Sequence, residues 1–327
     1  MEPSYIQLYR NDELRVRAAR LKSRLAECDI CPRACGADRL NDEYGFCRSG
    51  SLAVISACCD HHGEEPVLSG TRGSGTIFFS GCTMRCQFCQ NYQISQEFHH
   101  TNIEKLDAGQ LAEKMLYLQD ELKCHNINLV SPTHFTPQIV EAVDYAASMG
   151  LHIPLVYNTN GYDSVDTLKE LDGVIDIYLP DIKYASDRNA VTYSQVDHYV
   201  DHARQAILEM YRQVGNLLID EHGTALRGLI VRHLVLPNDL SGTKENILWL
   251  LREVSPDIVV SIMSQYHPSY NARFIPELSR KLTKKEYQDI ADWIEEAGPE
   301  NGGMQEYDSS DLYLPDFNIK GHPFEKM

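Results

Sequence analysis

The chain has 327 residues, 43% of them hydrophobic, enough for one large α/β domain or two smaller ones. Acidic residues outnumber basic ones 47 to 30, and the net charge of −17 argues against a phosphate-binding nucleic-acid surface. No run of about 18 apolar residues occurs, so no membrane span is expected; the polar stretch Met1 to Arg24 lacks the apolar core of a signal peptide, so a cytoplasmic location is expected.

In chain order, residues 4–26 read as one helix, with Ile6, Leu14, Val16, Leu21 and Leu25 set among charged positions. From Cys28 to about Pro66 the sequence is rich in Cys and Gly and reads as a small, loop-rich, metal-organised module. Short apolar runs then alternate with amphipathic stretches. The predicted strands are 76–79, 127–130, 155–157, 175–179, 229–236 and 258–262. The predicted helices are 108–122, 137–149, 164–171, 193–214 and 244–252, with a last one over 284–297 in which Thr283 is the N-cap and Glu286 completes a capping box. About six strand–helix repeats predict parallel strands joined by crossover helices. Polar residues gather just after the strands, where barrel active sites are built. The expected fold is α/β, a partial (β/α)6 TIM-type barrel with an N-terminal cysteine-rich module. The expected divisions are a helix and metal-binding module over 1–70, the barrel over 71–298 and a C-terminal tail over 299–327. That tail carries Tyr307, Leu312, Tyr313, Leu314 and Phe317 and is expected to pack on the barrel.

Ten cysteines in a reducing compartment point to metal ligation or redox chemistry rather than disulfides. Nine of the ten lie between Cys28 and Cys89, which scattered core cysteines would not do. Cys82, Cys86 and Cys89 follow the strand Thr76–Phe79 in the segment GCTMRCQFCQN. Their spacing lets one tight loop present three thiolates to a four-iron cluster and leaves one iron without a protein ligand. A zinc site completed by Cys124 or a histidine is the alternative. A second set, Cys28, Cys31, Cys35 and Cys47, suits either a closed structural zinc site or a second iron–sulfur cluster. Adjacent Cys58 and Cys59 cannot easily share an ion and read as core. His61, His62, Glu64 and Glu65 either line the open end of the site or form a hinge.

The loop CxxxCxxC after a first barrel strand resembles the radical S-adenosylmethionine superfamily. Phe88, directly before the third cysteine, matches the aromatic residue that packs against adenine there. More narrowly, the chain resembles the pyruvate formate-lyase activating enzyme-like branch and a subgroup of it. The matching segments are CxxCPRxC from Cys28, GxC ending at Cys47, HxGEEPxLSG from His61 and GTIFFSGC from Gly75, and the likeness covers roughly residues 25 to 300. The resemblance implies a [4Fe-4S] cluster whose open iron chelates the methionine amino and carboxylate groups of S-adenosyl-L-methionine. It further implies that an electron cleaves the sulfonium and that the resulting 5′-deoxyadenosyl radical abstracts hydrogen from substrate. An electron donor such as flavodoxin or ferredoxin is implied as a partner.

Candidate site residues stand at the other strand ends. Where the wider family carries a Gly-Gly-Glu turn that binds the methionine amino group, this chain has Ser131-Pro-Thr-His. Thr133 and His134 are assigned that role, with capping of the next helix as the alternative for His134. Asn158 and Asn160 offer donors and acceptors to ribose or carboxylate groups, or serve the turn alone. Asp181 and Lys183 resemble an Asp-x-Lys pair of glycyl-radical activating enzymes and, with His267, are the catalytic candidates. Arg232, if inward, pairs with the cofactor carboxylate. Gln265, Tyr266 and His267 are expected to face substrate, with a structural role as the alternative for His267. The implied reaction is activation of a partner protein by hydrogen abstraction from a glycine. The alternatives are a peptide or small-metabolite substrate and, from another class, a non-catalytic zinc-stabilised interaction protein.

Overall fold

The computed structural model describes residues 1–97, 103–307, 314–319 and 321–324; Leu312 and Tyr313 of the tail lie outside them. The strands are β1 (Ala53–His61), β2 (Ser74–Phe79), β3 (Glu104–Leu106), β4 (Ile127–Val130), β5 (Leu155–Thr159), β6 (Ile177–Pro180), β7 (Leu218–Ile219), β8 (Ala225–Leu234), β9 (Val259–Met263) and β10 (Gly302–Met304). The helices are α1 (Tyr5–Arg10), α2 (Glu13–Ser23), α3 (Pro66–Ser69), α4 (Tyr92–Ser95), α5 (Ala108–Asp120), α6 (Thr136–Ser148), α7 (Val165–Glu170), α8 (Asp187–Ser194), α9 (Tyr199–Val214), α10 (Thr243–Trp249) and α11 (Lys284–Ala297).

Six strands, β2-β4-β5-β6-β8-β9, lie side by side and parallel, as expected. β10 extends the sheet in parallel beyond β9, while β1 and β3 extend it antiparallel at the other end. Among the described residues no pairing joins the two ends, so the barrel is partial and the sheet open. β4, β5 and β6 are buried at every position, as befits strands covered on both faces. Their outward residues, including Leu129, Tyr157 and Tyr178, join Leu111, Ile139, Val143 and Ile207 of the helices in the main core. Inward residues of neighbouring strands form smaller clusters: Val156, Ile177, Leu179 and Ile230 close on Leu68 of α3, which plugs the concave side. Fully burying each such aliphatic side chain contributes roughly 1.5–3 kcal/mol.

The N-terminal region differs from the expected loop module. Residues 53–61 form β1, whose alternating burial is that of a strand with one face packed. β1 pairs with β2 from Ile55–Phe79 to His61–Ser74, so the expected boundary at residue 70 falls inside a β-hairpin. Clustered Cys, Gly and charged residues hid this strand. The predicted first helix breaks at Asn11 and Asp12, where Asp12 adopts left-handed φ of 60°, a conformation open to Asp through its short polar side chain. Leu14 and Leu21 of α2 are wholly buried in the main core.

The helix predicted over 193–214 is two. Gln195 and His198 are both left-handed, with φ of 54° and 52°, and the break ends α8 at Ser194. At the other end, Thr283 and Glu286 form the expected capping box of α11. In the tail, Phe317 is buried edge-on against Phe78 at 5.2 Å, and Phe324 stacks on His61 at 4.1 Å. No described helix is long and apolar enough to cross a membrane.

Candidate active site

The loop after β2 is fixed from both sides. Gly81 donates its N–H to the Ile94 carbonyl at 2.9 Å and has φ of +83°. A Cβ at Gly81 would collide with the Cys47 carbonyl, so only glycine fits. Further on, the N–H groups of Arg85 and Gln87 donate to the carbonyls of Ser194 and Tyr193, at 3.0 and 2.8 Å. These carbonyls are the last of α8, left without intrahelical partners by the break at Gln195. The helix break thus provides the dock for the cysteine loop.

Each thiol of the loop meets a donor from another part of the fold or loop. Asn160 Nδ2 and the Met84 N–H both lie 3.4 Å from Cys82 Sγ. Ser194 Oγ donates to Cys86 Sγ at 3.0 Å, and Ser95 Oγ lies 3.3 Å from Cys89 Sγ. Burial pushes the Cys86 thiol up to about 11 and the Cys89 thiol up to about 12. Bound metal reverses that preference, because a coordinated thiol loses its proton. Among the described residues no three His, Cys, Asp or Glu side chains converge on one point closely enough for a single ion. Three thiols on one short loop, held apart yet each given a donor, fit the corners of a cluster better than a lone zinc.

Beside the loop stands an aromatic wall. Phe88 is 5% exposed and lies 6.4 Å edge-on from Tyr184 and 6.0 Å from Tyr266, in one cluster with Met84, Tyr162 and Tyr199. The Tyr199 hydroxyl accepts the Lys183 N–H at 2.9 Å and lies 3.0 and 3.1 Å from the carbonyls of Asn160 and Asp181, tying the ends of β5 and β6 together.

The charged residues at the strand ends form one connected group. Asp181 pairs with the Lys183 ammonium through one oxygen and with Arg232 Nε through the other, at 2.9 Å. Arg232 also donates to Asn158 Oδ1 at 2.7 Å and lies 3.5 Å from a Glu64 oxygen. Burial alone would raise the Asp181 carboxyl, but Arg232 and then Lys183 outweigh it and hold the group below the usual range. Burial acts against the Lys183 charge, and Asp181 followed by Cys86 more than restores it, so its pKa is raised. Glu65 lies nearby; burial pushes its carboxyl up, and one oxygen has no hydrogen-bond partner among the described residues.

The structure therefore brings Asn160, Asp181 and Lys183 to the cysteine loop and gives Arg232 a different set of partners from those expected. The Arg232 guanidinium is occupied by Asp181, Asn158 and Glu64 rather than left open for a cofactor carboxylate. Thr133 and His134 also differ from their expected role. The Thr133 hydroxyl donates to Asp163 at 2.7 Å in a buried knot with Thr159 and Tyr157. His134 is 2% exposed, hydrogen bonds the Ser80 carbonyl through Nε2 at 2.9 Å, and is driven by burial to about 3, so it is a neutral strut beneath the loop. His267 contacts Ser269 at 3.3 Å. Ser95, Ser194, Tyr199 and Asp163 were missed; Ser194 and Tyr199 work through partners distant in sequence, Cys86 and Asn160, and Ser95 and Asp163 through nearer ones that no motif marks.

The family model for the Radical SAM superfamily matches residues 76–227, a stretch running from the strand before the cysteine loop into β8. The chain is 32% identical over 271 residues to the uncharacterized protein MJ0674 of Methanocaldococcus jannaschii, covering 82% of this chain and 74% of that protein. The chain belongs to the radical SAM superfamily. It is accordingly an iron–sulfur enzyme that uses a [4Fe-4S] cluster and S-adenosyl-L-methionine for radical chemistry, and such enzymes need a reductant and a substrate. Among solved structures it is similar to SuiB of Streptococcus suis, at TM-score 0.46 and 11% identity over 69% of this chain and 47% of that one. It is also similar to HydG, a maturase of the [FeFe]-hydrogenase, at TM-score 0.43 and 13% identity over 68% of this chain and 49% of that one. The chain spans about half the length of both.

Proposed function

We propose that Cys82, Cys86 and Cys89 carry the cluster and that the enzyme abstracts hydrogen from a glycine of a partner polypeptide. When bound, the cluster and S-adenosylmethionine supply a one-electron cleavage and a hydrogen-abstracting 5′-deoxyadenosyl group. The chain's own residues do the rest. Phe88, Tyr184 and Tyr266 offer an apolar wall for adenine and keep water from the reacting atoms. Asn160 holds Cys82 with its amide nitrogen while its oxygen accepts the Tyr162 N–H at 2.9 Å, which fixes the amide's orientation.

The observation that carries the reading is the Asp181–Lys183 pair at the mouth beside Cys86. Lys183 has three donors, and Asp181 occupies one, so the ammonium can hold a carboxylate or a peptide carbonyl. Asp181, braced by Arg232, keeps that ammonium charged and in place. A one-electron donor such as flavodoxin or ferredoxin supplies the reductant, and the cytoplasm is the compartment in which such donors and free thiols coexist.

The test is anaerobic: reconstituted protein, reductant, S-adenosylmethionine and candidate polypeptides are mixed and examined by electron paramagnetic resonance. A glycyl doublet on the partner, with matching 5′-deoxyadenosine, is the expected result. Turnover to 5′-deoxyadenosine with a peptide or small metabolite, and no glycyl signal with any polypeptide, would replace this substrate class with the alternative one.

A further inference from the structure

We propose that Cys28, Cys31, Cys35 and Cys47 hold a second four-iron cluster, which relays electrons to the cluster on the Cys82 loop. All four cysteines line one pocket, together with Ile30, Arg33, Arg39, Phe46, Thr83 and His134. The donor set is sulfur throughout: no carboxylate lines the space, and the ring nitrogen Nε2 of His134 is engaged by Ser80. Such a soft set takes zinc or an iron–sulfur cluster.

Three observations choose the cluster. A zinc ion draws its thiolates to a single point at about 2.3 Å, whereas these thiols surround a space, and no three described ligands meet at one ion. Arg39 supplies the second. It is 1% exposed, its Nη1 lies 3.7 Å from Cys28 Sγ, and its Nε has no hydrogen-bond partner among the described residues. A cluster adds bridging sulfides as acceptors for such a buried donor, and a zinc ion adds none. The third is position. Thr83, the residue after Cys82, forms part of the cavity wall, and Arg33 Nε donates to its carbonyl at 2.6 Å. Arg85 of the cysteine loop reaches the carbonyl of Phe46, the residue before Cys47. A structural ion has no need of this shared wall, and a redox relay does.

The direction of transfer follows from exposure. Cys35 is exposed while Cys28, Cys31 and Cys47 are buried, so Cys35 marks the solvent side and Thr83 in the wall marks the side of the loop. One electron enters at Cys35 from a one-electron donor of the ferredoxin or flavodoxin class and leaves towards Cys82; no bond or proton changes hands within the relay. The relay rests on the cluster assignment to Cys82, Cys86 and Cys89, but the metal content of the cavity does not.

The test uses the whole chain, reconstituted with iron and sulfide, as wild type, as Cys82→Ala/Cys86→Ala/Cys89→Ala, and as Cys35→Ala. Wild type is expected to hold about eight irons, the sum of two four-iron clusters. The triple variant should keep about half of that iron and sulfide, with a reduced-state paramagnetic signal indifferent to S-adenosylmethionine. Zinc in place of iron in the triple variant, or loss of all its iron, overturns the second cluster. Iron content equal in wild type and triple variant would instead overturn the Cys82 loop as a ligand set while leaving the cavity cluster standing. Because Cys35 is exposed, its variant disturbs packing least. It should lower iron by up to half while retaining a signal that responds to S-adenosylmethionine, and unchanged iron content and signal in that variant would count against the proposal.

Discussion

Two cysteine sets lie on either side of Thr83, and they are built differently. The Cys82 loop offers three thiols, each met by a neutral donor, Asn160, Ser194 or Ser95, and opens onto aromatic and charged groups at the strand ends. The Cys28 set offers four thiols around one pocket walled by Arg33, Arg39 and Phe46, with only Cys35 exposed. Three ligands with polar neighbours suit a centre that must bind and release a small molecule; four ligands among cations and rings suit one that only changes charge. The contrast teaches that ligand count and surroundings, more than cysteine spacing, separate a reactive centre from a relay.

The sharpest break in that comparison is Cys86→Ala. It removes one thiolate of the reactive set, and reductive cleavage of S-adenosylmethionine should fall to background by 5′-deoxyadenosine assay, with the Cys28 set untouched. Asp181→Ala comes next: it strips Lys183 of its buried counter-ion and leaves Arg232 only the more distant Glu64, and should cost about 3–5 kcal/mol in denaturant unfolding. Replacing Lys183 by Met in the same chain should recover part of that loss, since one stranded charge goes with it. A smaller effect separates the two centres directly. Ser194→Ala removes a donor from Cys86 worth about 1 kcal/mol, and should lower the potential of the reactive centre by about 40 mV for one electron without moving that of the Cys28 set. The smallest lies far from both. Arg280 foremost, and Thr283, hold the Glu286 carboxyl well below its ordinary value. A depressed folded-state pKa gives stability that is present above about pH 4.3 and is lost as pH falls from there. Glu286→Gln should therefore cost about 1 kcal/mol at neutral pH, and the gap from wild type should close in acid, read by thermal unfolding across pH.

Much of the parallel sheet was legible because its strands are short, buried on both faces and separated by helices of clear periodicity: Leu155–Tyr157 reads as an apolar run, and Ile127–Val130 has only Asn128 among its apolar residues. β1 was not legible, because Cys58, Cys59 and Asp60 interrupt the pattern that its pairing with β2 reveals. The cysteine loop was legible from spacing and from Phe88. Its supports were not: Ser194 reaches Cys86 across 108 positions, and only the break between α8 and α9 puts it there. Arg232 shows a related limit. An inward arginine could be expected from the strand, but its partners Asp181, Asn158 and Glu64 come from three separate segments, and together they occupy the group assigned to the cofactor.

The most direct measurement is the paramagnetic signal of the reduced, reconstituted protein with and without S-adenosylmethionine. The expected result is a signal that changes on addition, because an iron without a protein thiolate gains new ligands, and that responsive signal disappears in Cys86→Ala. A signal indifferent to S-adenosylmethionine in wild type, or one still responsive in Cys86→Ala, would contradict Cys82, Cys86 and Cys89 as the reactive centre.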